Sequence, residues 1–121
     1  MYAVLSDVAV RVVVHPQHTA YVGQTVILRC QPNVTDDVDW KYRATEKSIE
    51  DYVYLHGVMF GSFRNHSRFS VSKSNEHSYD LIISNVNMSD AGQYICIEEK
   101  GLGARHVYDL NVTGKLILHC W

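Results

Sequence analysis

Seven residues near the end of the chain, Asp90-Ala91-Gly92-Gln93-Tyr94-Ile95-Cys96, constrain what the rest can be. Tyr94 and Cys96 alternate with Ile95 and Ile97, which is the period of a strand with two different faces. A second alternating run, Val26-Ile27-Leu28-Arg29-Cys30, puts Val26, Leu28 and Cys30 on one side. Two strands that each turn a cysteine into a core can be tied across it, and a bridge closing so long a loop stabilises by roughly 4 kcal/mol in the chain-entropy view. Trp40, ten residues after Cys30, lies in the run Val38, Trp40, Tyr42 and supplies a large apolar surface to pack on the sulfur pair.

These residues resemble the immunoglobulin superfamily, in which cysteine, tryptophan and cysteine occur in this order. The resemblance implies an all-β fold: a V-type two-sheet Greek-key sandwich with a disulfide between strands B and F, here Cys30 and Cys96. Tyr94, two residues before Cys96, stands where the family places its tyrosine corner. Arg68, ahead of Phe69-Ser70-Val71, and Asp90, ahead of Gly92, look like the ion pair that closes the bottom of variable-type domains. Sixty-five residues separate the cysteines, which leaves room for the two extra strands C′ and C″ of the V-set. The likeness runs over 8–113, with 1–7 as an N-terminal extension and 114–121 as a tail, hinge or vector remnant.

At 121 residues, 46% hydrophobic and 20% charged, the chain has apolar content for one core and no room for a second domain. A formal charge of −2 gives no electrostatic reason to expect nucleic acid or an anionic membrane as partner. The densest basic grouping in sequence is the pair Lys41 and Arg43. Four acceptor sequons, at Asn33, Asn65, Asn87 and Asn111, fall in expected loops or outward positions. With the expected disulfide they point to the secretory pathway and an extracellular or cell-surface location. The third cysteine, Cys120, is left over and reads as an interchain or reactive thiol. The start Met1 to Ser6 lacks the pattern of a signal peptide, and no stretch reaches the length of a membrane span.

Along the chain, Val8 to Val14 reads as a first strand that His15-Pro16 interrupts, so that it bends or changes sheets at an edge. Strand C carries Val38, Trp40 and Tyr42 inward; Tyr52 to Leu55 and Val58 to Phe60 read as C′ and C″ about a His56-Gly57 turn. Arg68 to Ser72 is the expected D, Tyr79 to Ser84 the expected E, and Arg105 to Val112 the expected G, with Tyr108, Leu110 and Val112 inward. Rearranging antigen receptors open strand G with an aromatic residue, two spaced glycines and a threonine. Gly101-Leu102-Gly103 lacks the aromatic and the threonine, which favours a non-rearranging receptor or adhesion domain. The tail from Gly114 echoes the pattern of Gly23 to Cys30.

Little in the sequence points to catalysis. No nucleophile elbow occurs, no glycine-rich loop opens a helix, and Arg68 with Asp90 reads as a fold-closing ion pair. Seven histidines are present, but His15 and His18, the pair with ligand-like spacing, have no acidic or thiolate neighbour. No cofactor is expected.

The functional expectation falls on the outer side of the sheet formed by G, F, C and C′, the face through which V-set domains pair. If Tyr94 and Cys96 point inward, Ile95 and Ile97 point outward. With Val107 and a C′ residue, Tyr54 among them, they would make an apolar patch rimmed by Lys41, Arg43, Glu99 and Asp109. The alternative is that the long loop before C′ folds over these residues. The first reading is a recognition module of an immune-type receptor or adhesion molecule, binding a protein partner heterophilically or as a homodimer. The rival is a binder of carbohydrate or microbial surface ligands through its loops, with Tyr52, Tyr54 and His56 stacking on a sugar.

Overall fold

The strands begin where the sequence takes up a two-residue period and end at turn residues. The computed structural model describes residues 11–32, 38–61, 63, 68–73, 78–98 and 103–114. They form β1 (Val12–Val14), β2 (His18–Tyr21), β3 (Val26–Leu28), β4 (Val38–Arg43), β5 (Asp51–Leu55), β6 (Val58–Met59), β7 (Phe69–Ser72), β8 (Asp80–Ile83), β9 (Gly92–Glu98) and β10 (Arg105–Thr113). Strands β3 to β10 occupy the places expected for B, C, C′, C″, D, E, F and G. One sheet runs β1-β10-β9-β4-β5-β6 with β2 also on β10; the other is β3-β8-β7. His56 and Gly57 both take positive φ, 52° and 83°, the mirror-image turn whose twist suits the β5–β6 hairpin.

Between the sheets lies an apolar core built from the faces that alternation assigns inward. Trp40, Val53, Tyr94, Cys96, Leu110 and Val112 of the large sheet meet Val26, Leu28, Leu81, Ile83 and Phe69 of the small one. Burying the Trp40 ring contributes on the order of 5 kcal/mol by area. Its indole nitrogen, which could not be left unpaired there, donates to Tyr79 O at 2.7 Å and so links the two sheets. Cys30 and Cys96 form the disulfide that joins the layers, with Cα atoms 6.4 Å apart.

At one end of the sandwich the expected ion pair is present. Asp90 accepts from Arg68 Nη1 at 2.7 Å and Nη2 at 3.1 Å, and also from the Asn87 amide at 2.9 Å. Asn87 caps the 3-10 turn Met88–Asp90. The Asp90 hydrogen bond raises the Arg68 guanidinium above its ordinary value. Tyr94 Oη donates to Asp90 O at 2.6 Å, the expected corner. Burial pushes its hydroxyl well up, with the Asp90 charge adding to it, so the proton stays on the donor.

The first strand does not change sheets within the described residues. Both β1 and β2 run parallel to β10, Val14 against Val107 and His18 against Leu110. Four steps along β1–β2 thus match three along β10, and the extra residue is taken up around Pro16, which has no amide to give. The break is a bulge on an edge, held by His15 N donating to Val107 O at 3.0 Å.

Candidate protein-interaction face

The outward positions of the large sheet are set by register. Lys41 and Val107 flank Ile95 on β9; Asp39 and Arg105 flank Ile97; Arg43 and Asp109 flank Gln93. All of these side chains leave the sheet on the side away from the core, as alternation requires.

Outward is not exposed, and here the expectation of a bare apolar patch is corrected. Ile95 is 0% accessible, Ile97 4% and Val107 6%, and the three form a second apolar cluster separate from the main core. The cover is charged. Glu50, from the connector between β4 and β5, lies 3.4 Å from Lys41 Nζ and 3.2 Å from Arg43 Nη1 on β4, and 2.6 Å from Arg105 Nη2 on β10. Strands β4 and β10 lie on opposite sides of β9, so a carboxylate bound to both must sit across β9, above the isoleucines. The aliphatic stems of Lys41, Arg43 and Arg105 flank the apolar cluster while their heads reach the carboxylate. Arg43 Nε is further fixed on Gln93 Oε1 at 2.8 Å. The alternative that the loop folds over these residues is the arrangement found.

Burial by itself would push the Glu50 carboxyl up. The charge of Arg105 and the hydrogen bond and charge of Lys41 outweigh it and hold Glu50 below the usual carboxylate range. Glu50 thus stays ionised and ties three cations into one cluster. Immediately before it, Ile49 is 86% exposed. The connector is shaped by a turn in which Ser48 N donates to Thr45 O at 3.0 Å and the two hydroxyls meet at 2.9 Å.

Tyr54 is corrected too. The register slips between Trp40 and Lys41, so that Trp40 pairs with Tyr54 but Lys41 with Tyr52. The irregularity turns both Val53 and Tyr54 into the core and leaves Tyr52 outside, under Lys41 Nζ at 4.7 Å and edge-on to Phe60. The sugar-stacking set of Tyr52, Tyr54 and His56 therefore loses its middle ring. Asn111 is exposed on β10 and Asn87 is half-buried in its cap. Glu99, Asn33, Asn65 and Cys120 lie outside the described residues, as do 1–7 and 115–121.

Sequence reasoning missed Glu50 and Arg105. An acid seven residues beyond Arg43, one of two in the polar connector with Glu46 and placed at its end after the basic pair Lys41 and Arg43, was the available signal for the first. Arg105 becomes visible only when strand order places β10 beside β9.

The immunoglobulin V-set domain family model matches residues 14–113, and the chain belongs to that family. A search of curated sequences returned no match. Among solved structures, the extracellular domain of the voltage-gated sodium channel beta4 subunit, described as a parallel homodimer with a role in cell–cell adhesion, is similar at TM-score 0.59 and 19% identity, covering 84% of this chain and 92% of that one. The extracellular fragment of novel immune-type receptor 11 from Ictalurus punctatus is similar at TM-score 0.59 and 22% identity, covering 84% and 96%. The ZIG-8 IG1 homodimer is similar at TM-score 0.59 and 16% identity, covering 81% and 78%. These likenesses are of fold.

Proposed function

We propose that this chain is the extracellular recognition domain of an immune-type receptor or adhesion protein, and that it binds a protein partner through the outer face of its large sheet. The observation that carries the reading is the Glu50 cluster. Four charged side chains are held in one fixed arrangement on a broad sheet, with an exposed isoleucine at their border, so a partner meets groups that need little further ordering. Arginines in such settings are favoured interface residues. Self-association through this face is part of the proposal, and the homodimers named among the structural relatives lend it support. Glycans at Asn111, and at Asn33, Asn65 and Asn87, are proposed as well. Asn111 lies six residues along β10 from Arg105, on the order of 20 Å at strand rise, so a sugar there would leave the cluster free. A secreted or surface location is proposed with it, and the disulfide and the sequons support that reading.

The test uses fluorescent tetramers of the domain carrying Cys120→Ser, applied to a cell panel and to beads coated with the domain itself. The double variant Arg43→Gln, Arg105→Gln, which removes the charges without setting carboxylates against Glu50, is expected to lose at least about tenfold in binding, with a native β circular-dichroism spectrum and melting within a few degrees of wild type. Undiminished binding by that variant would move the contact off this face. Bead binding separates homophilic from heterophilic use.

A further inference from the structure

Strand β1 has little apolar hold on the domain. Val12 and Val14 point outward, 55% and 72% exposed, and only Val13 turns inward, half-buried. Within the described residues, its strand partner is β10 alone. The segment is fastened where it ends, by a row of polar side chains on the inner side of the sheet. His15 stacks on Tyr108 with ring centroids 4.2 Å apart and planes 11° from parallel. Its Nε2 lies 3.2 Å from His106 Nδ1, and His106 Nε2 lies 2.7 Å from Glu98 Oε2. The row thus joins β1 to β10 and β9.

Donor bookkeeping along this row is restrictive. The Glu98 carboxylate only accepts, so His106 presents Nε2–H to it. The remaining contact, His15 Nε2 to His106 Nδ1, then holds one proton, supplied by either ring. Two protonated imidazoles would set two N–H donors and two positive charges face to face at 3.2 Å. We propose that the row Glu98, His106, His15 is an acid-released latch: it docks β1 on β10 near neutral pH and lets it go when both imidazoles carry protons.

Among the described residues, the groups that face His15 are His106 and Tyr108 from β10 and, through His106, Glu98 from β9. Tyr108 donates its hydroxyl to Arg29 O, and burial, with Asp80 adding, raises it away from the range concerned. Burial first, and His106 second, hold His15 below the usual imidazole value of 6.5. A histidine depressed in the docked state stabilises that state above its free value, and the stabilisation is lost as pH falls through the docked value. Release would strip Val12 and Val14 from the margin of the outer face and open the β10 edge, so the latch would make that face sensitive to acidified compartments.

Hydrogen exchange followed by NMR on the whole chain tests this. The probes are the His15 amide, bonded to Val107 O, and the Arg105 amide, bonded to Arg11 O. Between about pH 7.4 and about pH 5.4, their protection, corrected for intrinsic rates, is expected to fall at least about threefold more than that of β8 amides. In His15→Phe, which keeps a ring on Tyr108 but cannot take a proton, the excess fall is expected to vanish. No excess fall in wild type, or the same fall in the variant, overturns the latch. Should His15→Phe not fold, the imidazole resonances of wild type decide: a His15 midpoint below 6.5 supports the latch and one at or above it rules it out.

Discussion

Two of the ion clusters among the described residues, one at the end of the sandwich and one on its face, are built on different plans. In the first, Asp90 meets Arg68 in a two-pronged pair, accepts the Asn87 amide, and lends its main-chain carbonyl to Tyr94. Its carboxylate is 6% exposed. In the second, Glu50 is 22% exposed, reaches in from a connector and is shared by three long cationic chains. The first closes one end of the sandwich; the second covers an apolar strip on its face. The cations of the two clusters are about equally exposed, so the difference lies in the carboxylate: a nearly dry, fully partnered one can fix a fold, whereas a wetter, shared one can be displaced by a competing carboxylate or guanidinium. The difference is the physical ground for assigning stability to one and recognition to the other.

The sharpest way to break that contrast is Asp90→Ala. It leaves the Asn87 amide without its acceptor and takes the two-pronged partner from Arg68, whose Nη1 keeps Asn85 O at 3.3 Å and Ser84 O at 3.5 Å. A loss of about 3 kcal/mol in chemical denaturation is expected. A loss no larger than that of Glu50→Gln would erase the distinction. Gly92→Ala probes the same end of the sandwich without touching charge. Gly92 has φ +142°, and a Cβ there would come within 2.6 Å of the Tyr42 ring and 2.9 Å of Arg43 O. Tyr42 is not free to yield, since its hydroxyl donates to Ala91 O at 2.6 Å. A cost of about 2 kcal/mol is expected in the same denaturation assay. A neutral outcome would mean that β4 and the start of β9 can move apart.

Alternation is a local property, and what it governs was legible in the sequence: the strands from B to G and the inward sets at Trp40, Tyr94 and Leu110. The disulfide and the Arg68 and Asp90 pair join residues far apart in the chain, and they were legible through the resemblance to the V-set. The outer face was legible only as direction. Ile95 and Ile97 point where the period says, yet their burial depends on a side chain from a connector whose path no period encodes. Tyr54 failed for a related reason, because one slipped register between Trp40 and Lys41 undoes a two-residue rule for the strand beyond it. The His15 row needed β1 and β10 to be parallel neighbours, a pairing between residues 91 apart in sequence.

The smallest effect sharpens the contrast most. Glu50→Gln keeps the shape of the cluster and removes its charge, so the loss at neutral pH is expected to stay under about 1 kcal/mol, as for other partly wet pairs. Its signature lies in pH and salt. Glu50 is held below its free value of 4.5 in the fold, so its stabilisation is present above that value and disappears as pH falls through the folded one. Wild type and Glu50→Gln should therefore differ in melting temperature near pH 7 and converge as pH falls through the folded value of Glu50. Added salt should shrink the gap near pH 7, because at about 1 M the screening length drops to about 3 Å. Asp90→Ala, by contrast, should keep most of its deficit in salt, since its carboxylate is shielded from ions by burial. If both variants respond to salt alike, the cover over Ile95 and Ile97 is as firmly built as the closure at Asp90. A partner would then have to bind on top of the cluster and could not displace it.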